Sequence, residues 1–170
     1  KYYSGNTNLK NNDINSEYEF YNIFRDKNTT VHAKGQQKLS YNVKTSRELI
    51  NYNTKFSLSS ESYAQIFNTD SKLLHSNNFH TGTYFRLFPI LGISAETPFK
   101  IKDNKYNFTF KPKTQIVLSP GASNSNKISN EDSSNNNFSL ENFSSLNRYT
   151  GSDKIDNSKR ISYGIDVYNE

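Results

Sequence analysis

The residues whose types and spacing come closest to chemistry are acids and histidines. Glu131 and Asp132 adjoin, Asp153 and Asp156 stand close behind them, and His75 and His80 lie five apart. Metal ligation is the chemistry to test. A calcium loop needs ligands at alternating positions around a sharp glycine turn, and none of these acids has that spacing, so solvated loop acids are the expectation. The two histidines sit among polar residues with no Cys and no acidic cluster beside them, so no metal site is expected there. The chain also has no G-x-S-x-G elbow, phosphate-cradling glycine loop or H-E-x-x-H pair. Cys is absent, which removes disulfides and thiolate metal sites from this stretch. Asn-x-Ser/Thr sequons at Asn28, Asn107, Asn137 and Asn142 are expected by chance in so Asn-rich a chain. No catalytic constellation survives this inspection, and no cofactor is expected.

Composition turns attention to the elements that must position these residues. The chain has 170 residues, the length of about one domain, yet only 32% are hydrophobic and the mean hydropathy is −0.88. Such values suggest disorder until the identity of the apolar residues is considered: 12 Tyr and 12 Phe are what disordered chains lack. Few aliphatics, many aromatics and an otherwise polar composition fit strands with a single apolar face. No apolar run approaches the ~18 residues of a membrane helix, but a membrane barrel strand needs only ~9–11 residues with every second one apolar. The net charge of +5 permits attraction to phosphate-bearing partners. A coding bias toward Lys and Asn accounts for it more simply, and no nucleic-acid partner is expected. The chain opens on KYYSGN without a visible signal peptide and closes on DVYNE just after a strand-like run, so a fragment of something larger is the expectation.

Period-2 alternation can be counted. Leu39, Tyr41 and Val43 oppose Lys38, Ser40, Asn42 and Lys44. Tyr52, Phe56 and Leu58 oppose Asn53, Lys55, Ser57 and Ser59. Tyr106, Phe108, Phe110, Ile116 and Leu118 oppose Asn107, Thr109, Lys111, Lys113 and Gln115, while Ile161, Tyr163, Ile165 and Val167 alternate with Ser162, Gly164, Asp166 and Tyr168. Glu17 to Phe20 alternates and then blurs, and Glu61 to Phe67 is mixed. Thr83 to Ala95 is the most apolar stretch, where Pro89 predicts a bend or break. DKNTT at Asp26, SSES at Ser59 and KDNK at Lys102 read as turns. The fold class predicted is all-β and antiparallel, strand-rich over 17–118, with a long loop over 119–159 and a further strand over 160–168, all within one domain of 1–170. A soluble sandwich turns every 8–12 residues, whereas Asn104 to Leu118 is long enough to cross a bilayer at a tilt. Long loops alternating with tight turns are the habit of an outer-membrane barrel.

The loop is the most specific feature. The stretch SPGASNSNKISNEDSSNNNFSLENFSSLNRYTGSDKIDNSKRISYGIDVY resembles a segment of the LPS-assembly outer-membrane protein family (LptD, also called OstA), particularly its alphaproteobacterial branch. The matching pieces are the strand ending in Leu118-Ser119-Pro120, the block Ile128 to Ser133, the block Ser145 to Ile155, and Arg160 to Gly164. Upstream, HTGTYFRLFPILGISAETPFKI resembles the paired strands before that loop. The resemblance covers Phe79 to Tyr168 well, and Glu17 to Phe67 by pattern. Three departures stand out: Ser129 where the family usually has Pro, Lys154 where it has Arg, and ENFSSLNRY in place of Asn-Leu-Phe-Ser-Leu-Asn-Arg-Phe.

The resemblance implies a transmembrane β-barrel of the Gram-negative cell outer membrane, surrounded by membrane lipids, of which this stretch is an incomplete part without the periplasmic jelly-roll domain. It implies insertion of lipopolysaccharide into the outer leaflet, with a plug lipoprotein (LptE) inside the barrel and a periplasmic bridge protein (LptA) delivering the glycolipid. On this reading Tyr41, Phe56, Phe108, Phe110, Ile161 and Ile165 face lipid, and Lys44, Lys55, Lys111, Lys113 and Asp166 face the lumen, because a lipid-facing Lys at midplane costs about 2–4 kcal/mol. Lys111 and Lys113 would draw the phosphates of the head group. The loop motif residues Asn130, Glu131, Asp132, Ser133, Asn147, Arg148, Gly151, Asp153 and Arg160 are expected to serve lumenal, structural roles, the loop folding back over or into the barrel with Arg148 paired to Glu131 or Asp132. A porin or ligand-gated transporter shares the alternation without the loop blocks. A secreted β-sandwich adhesin predicts apolar faces that meet each other.

Overall fold

Alternating side chains need an extended backbone whose two faces meet different surroundings. The computed structural model supplies it, describing residues 2–9, 12–26, 33–74, 78–102, 107–121, 124–134 and 137–169. The strands are β1 (Tyr2–Leu9), β2 (Asn12–Phe24), β3 (Gly35–Asn51), β4 (Thr54–Leu73), β5 (Phe79–Glu96), β6 (Phe99–Lys102), β7 (Asn107–Leu118) and β8 (Arg160–Asn169). All pairings are antiparallel, in one open sheet ordered β1-β2-β3-β4-β5-β7-β8. β6 pairs Phe99–Lys102 with the start of β7, and β5 pairs Leu91–Glu96 with its end, so the two follow one another along a single edge of β7. No helix occurs among the described residues.

The register sorts side chains into two kinds of rung. Phe20, Leu39, Ile66 and Phe85 are successive cross-strand partners, as are Tyr18, Tyr41, Ala64 and Leu87; these rungs share the apolar face, where Phe85 and Leu87 stay exposed and Tyr18 stacks on Tyr41 at 4.4 Å. Tyr41, Phe56, Phe108, Phe110, Ile161 and Ile165 all lie on that exposed face. One residue over, Glu19, Ser40, Gln65 and Arg86 form a polar rung, and Tyr21, Lys38 and Phe67 form the next. On this second face Lys38, Gln65 and Phe67 are fully buried, although the described residues form no second sheet against it. What covers them is the 119–159 loop.

Four sequence expectations are corrected. SSES is not a turn: Ser59 to Ser62 lie inside β4, a 20-residue strand that joins the Phe56 segment to the Glu61–Phe67 segment. Tyr52 is not a strand residue; it is fully exposed in the two-residue β3–β4 turn with φ of 54°. Pro89 does not break its stretch, because β5 runs unbroken through it. It sits just beyond Leu91, where β5 has lost its β7 partner, and an edge without a neighbour tolerates the missing N–H. The strand-rich region also begins before Glu17, with β1 and the first five residues of β2. Tyr106 and His75 lie outside the described residues.

The strand ends joined across 10–11, 52–53 and 103–106 lie at one rim of the sheet, and those joined across 25–34, 74–78 and 119–159 at the other, which carries the two longest connections of the six. The loop leaves from the long-connection rim. Its Phe143 reaches the level of Gly164 and Lys113, five residues below Leu118, or ~17 Å along the strand.

Candidate functional site

A forty-residue segment without regular structure must satisfy its backbone polar groups by other means. Here two blocks of the loop do so for each other. Asp153 Oδ2 accepts the N–H groups of Glu131 (2.7 Å) and Asp132 (3.3 Å), and Asp132 Oδ1 accepts those of Asp153 (2.8 Å) and Ser152 (3.2 Å). Ser133 Oγ accepts from the Lys154 N–H at 2.9 Å, and Asn130 closes a local turn by bonding both the N–H and the carbonyl of Ser133. Gly151 packs so closely on Asp132 that an added Cβ would stand 2.4 Å from the Asp132 carbonyl oxygen, leaving no room for a side chain.

The zipped blocks are pinned to the sheet by Lys38. Its ammonium, completely removed from solvent, lies 2.8 Å from Asp132, 2.9 Å from Asp153 and 2.9 Å from Glu19, and donates to Ser152 Oγ at 2.6 Å. The rings of Tyr21 and Phe67 flank it at 5.1 and 5.9 Å, and Tyr21 donates its hydroxyl to Asp153. A buried ammonium is tolerable only when its donors are used and its charge is matched, and both conditions hold. Arg86 works beside it, donating Nε to Gln65 Oε1 (2.8 Å) and Nη1 to the Asp153 carbonyl (2.9 Å). Arg25, just after β2, forms a two-pronged pair with Glu131. Gln36 and Ser129 exchange two hydrogen bonds, with Ser129 N–H donating at 2.7 Å and the Ser129 carbonyl accepting at 2.8 Å. A proline at 129 could not donate the first of these.

A second hub lies near the loop's end. Asp156 Oδ2 accepts from Arg148 Nε at 2.6 Å and Arg160 Nη1 at 2.9 Å, while Arg160 also reaches the carbonyls of Ser145 and Leu146. Asn147 Oδ1 accepts from the Asp156 N–H, and its Nδ2 donates to Tyr63 Oη. The expected pairing of Arg148 with Glu131 or Asp132 is therefore wrong. Those acids are taken by Arg25 and Lys38, and Asp156, eight residues on, is the partner within reach. Leu146 and Ile155 fill an apolar patch with Tyr63, Phe88, Ile90 and Val117, Leu146 entering the space left by Gly92.

Electrostatics follows this wiring. Burial works to raise the pKa of Asp156, but its hydrogen bonds with Arg148 and Ser158 win and hold it below the ordinary carboxylate value. Asp132 is likewise lowered, burial being overruled by the Lys38 ammonium and the N–H groups of Asp153 and Ser152. Asp153 is pushed up, chiefly by burial.

Lys111 and Lys113 share the loop-covered face, each beside an acid: Lys113 is 2.7 Å from Asp166 and 4.8 Å from the Phe143 ring centre, and Lys111 is 3.5 Å from Glu96. Lys44 pairs with Glu61 and Lys55 with Glu48. Lys38, Tyr21, Arg25, Gln36 and Arg86 are the site residues the motif did not name. Parity signals two of them, because Gln36 and Lys38 share the even row of β3 with Ser40 and Asn42, whereas Arg86 shares its row of β5 with Tyr84, Phe88 and Ile90 and stands out only as a charge in an apolar stretch.

An all-β sheet with one exposed apolar face, whose other face is covered by its own loop, meets a family model that supplies its name. The model of LPS transport system D, LptD, matches residues 1–168. The chain belongs to the LptD family. The match extends the resemblance read from the loop back across β1 to β4, and it carries a role in lipopolysaccharide transport and outer-membrane biogenesis. The open sheet is thus part of the wall of an LptD β-barrel. No curated protein matches the chain.

Proposed function

We propose that this chain forms a sector of an outer-membrane translocon that inserts lipopolysaccharide into the outer leaflet, in the cell outer membrane of a Gram-negative bacterium. The observation that carries this reading is the division of the sheet: an exposed apolar face on every strand with described side chains, backed by a polar face into which the 119–159 loop is stitched. Acyl chains and sugars need such opposite surroundings on two sides of one wall. An open sheet edge is not tolerated in hydrocarbon, so β1 and β8 are completed by further strands. Short turns on one rim and long loops on the other orient the sheet, the short rim facing the periplasm. Lipopolysaccharide arrives there from the bridge protein LptA, and the plug lipoprotein LptE shares the lumen with the loop.

The loop motif residues hold the lumen's contents in place, with Asp132 and Asp153 zipping the loop and Lys38 pinning it. Lys111 and Lys113 line the path of the head group, their charge partly matched by Asp166 and Glu96. The reading is tested in a strain depending on the full-length protein, by measuring surface lipopolysaccharide and vancomycin sensitivity. Unpinning the loop with Lys38→Met is expected to lower the first and raise the second. Wild-type values for both, with the loop shown by proteolysis to be released, would exclude the role given to the loop.

A further inference from the structure

The outer, apolar face carries one residue that its row does not account for. Asn12, Arg47, Leu58, Ile93, Ile116 and Ile161 are successive cross-strand partners, a single rung crossing β2, β3, β4, β5, β7 and β8. The four aliphatic members are 43–71% exposed, and Arg47 is exposed among them. Its guanidinium forms no ion pair or hydrogen bond among the described residues. Among the described residues of β2 to β8 the only acid on the outer row, Asp70, stands twelve residues along β4 from Leu58, toward the opposite rim. Arg47 itself lies four residues before the end of β3, ~13 Å along the strand from the 52–53 turn.

Hydrocarbon rejects a guanidinium most strongly at midplane and tolerates it toward the interfaces. From Arg47 the charge reaches the nearer interface at the end of its own stem, which stays on the apolar surface. The anion met at that level is lipid phosphate, and the planar fork of donors matches two phosphate oxygens at once. The face beside Arg47 suits the rest of the molecule. Toward midplane the outer row of β4 drops from Leu58 to Ser60, Ser62 and Ala64, a furrow that Tyr41 and Leu87 flank at the level of Ala64. The Ser60 and Thr45 hydroxyls bond each other at 2.8 Å, so neither is left bare in hydrocarbon. We propose that Arg47 binds the phosphate of a glycerophospholipid in the leaflet on the 52–53 side, with one acyl chain lying in the furrow. The inference rests on the reading of this face as lipid-facing, and it adds to the wall a resident lipid distinct from the transported one.

The test is native mass spectrometry of the purified full-length protein with its companion subunits, in an uncharged detergent, titrated with phosphatidylglycerol. Saturable binding of a first, tightest lipid is expected. Arg47→Leu, which only extends the aliphatic rung and so keeps the barrel folded by heat-modifiable gel mobility, weakens that lipid at least tenfold. Adding Leu49→Arg, which returns a guanidinium to the same face two residues nearer the rim, regains most of the loss, as a merely misfolded variant cannot. Diacylglycerol with the same chains does not take the site, and neither inorganic phosphate nor equimolar lipopolysaccharide displaces the lipid. Unchanged affinity in Arg47→Leu, no recovery in the double variant, equal binding of diacylglycerol, or displacement by phosphate or lipopolysaccharide overturns the proposal. A separate Leu91→Lys variant reports on the face itself: if it misfolds while the lipid test fails, only the Arg47 site is lost, and if it folds normally the lipid-facing reading falls with it.

Discussion

The two faces of this sheet are built on opposite economies. The apolar face repeats one device on strand after strand, so that Leu39, Ile66 and Phe85 do the same work as Tyr41, Ala64 and Leu87 two rungs away. The covered face works through singular positions: Lys38 meets three acids, and Asp156 meets two guanidinium groups. Redundancy spreads the cost of losing any one side chain, whereas a hub concentrates it. The contrast shows that an exposed apolar face asks only for hydrophobicity, while a loop folded onto a polar face must select particular partners.

Substitutions can break that comparison, and the largest effect belongs to the deepest hub. Lys38→Met leaves Asp132, Asp153 and Glu19 facing one another without a counter-charge, at a cost of about 3–5 kcal/mol. Limited proteolysis of the full-length protein is expected to cut within 119–159 in the variant and spare the wild type. On the other face, Leu91→Lys introduces the charge that hydrocarbon rejects, costing about 2–4 kcal/mol near midplane, whereas Leu91→Ala leaves folding in detergent nearly unchanged. Heat-modifiable gel mobility of the refolded barrel separates the two. An apolar face that accepts lysine as readily as alanine does not face lipid.

Asp156→Asn comes next, at about 1.5–3 kcal/mol for each charged hydrogen bond lost, and should loosen the 145–160 end of the loop while the Lys38 end stays protected. Acid sharpens the same contrast. Asp132 and Asp156 have lowered folded-state pKa values, so their stabilisation is present above the ordinary carboxylate value and is lost as pH falls through the lower, folded one. Asp153 is raised and has the opposite sign: its contribution is present at low pH and fades as pH rises through its folded value. Loop protection should therefore not fall between neutral and mildly acid pH, and should be lost only once pH has dropped below the ordinary Asp value of about 3.9, as followed by proteolysis with an acid-active protease. The smallest effect is expected at Gly92→Ala, whose new methyl would stand 2.4 Å from Leu146 Cδ2, so that Leu146 must shift within its patch, but no closer than 3.8 Å to any backbone atom among its three nearest neighbours. It costs about 1 kcal/mol, at the low end for overpacking, visible as a modest drop in the unfolding temperature.

The same contrast explains what could be read from sequence. The strands announce themselves because their pattern is local: Leu39 to Val43 and Ile161 to Val167 alternate whatever lies across from them. Where both rows of a strand mix their character the reading slips. Ser60 and Ser62 on the apolar row of β4 mimic a turn, and Tyr21 and Ile23 blur β2 because they belong to the covered row. The loop is recognisable by its residues but not by its wiring. Nothing local tells Arg148 to prefer Asp156 over Glu131, or tells Lys38 from the other lysines on wet rows. Lys38 and Arg25 find their loop partners about a hundred residues away, and Arg148 is left with Asp156, eight residues on, because they hold Asp132 and Glu131.

That distance has a consequence for how the molecule is made. Lys38 is separated from its loop partners Asp132 and Ser152 by 94 and 114 residues, and closures of that span come late because loop entropy must be overcome first. The sheet from β2 to β5 has to exist before the loop has anything to grip. Seating the loop is then a late step of folding, and a sheet assembled in the wrong register would offer Asp132 and Asp153 no ammonium to receive them.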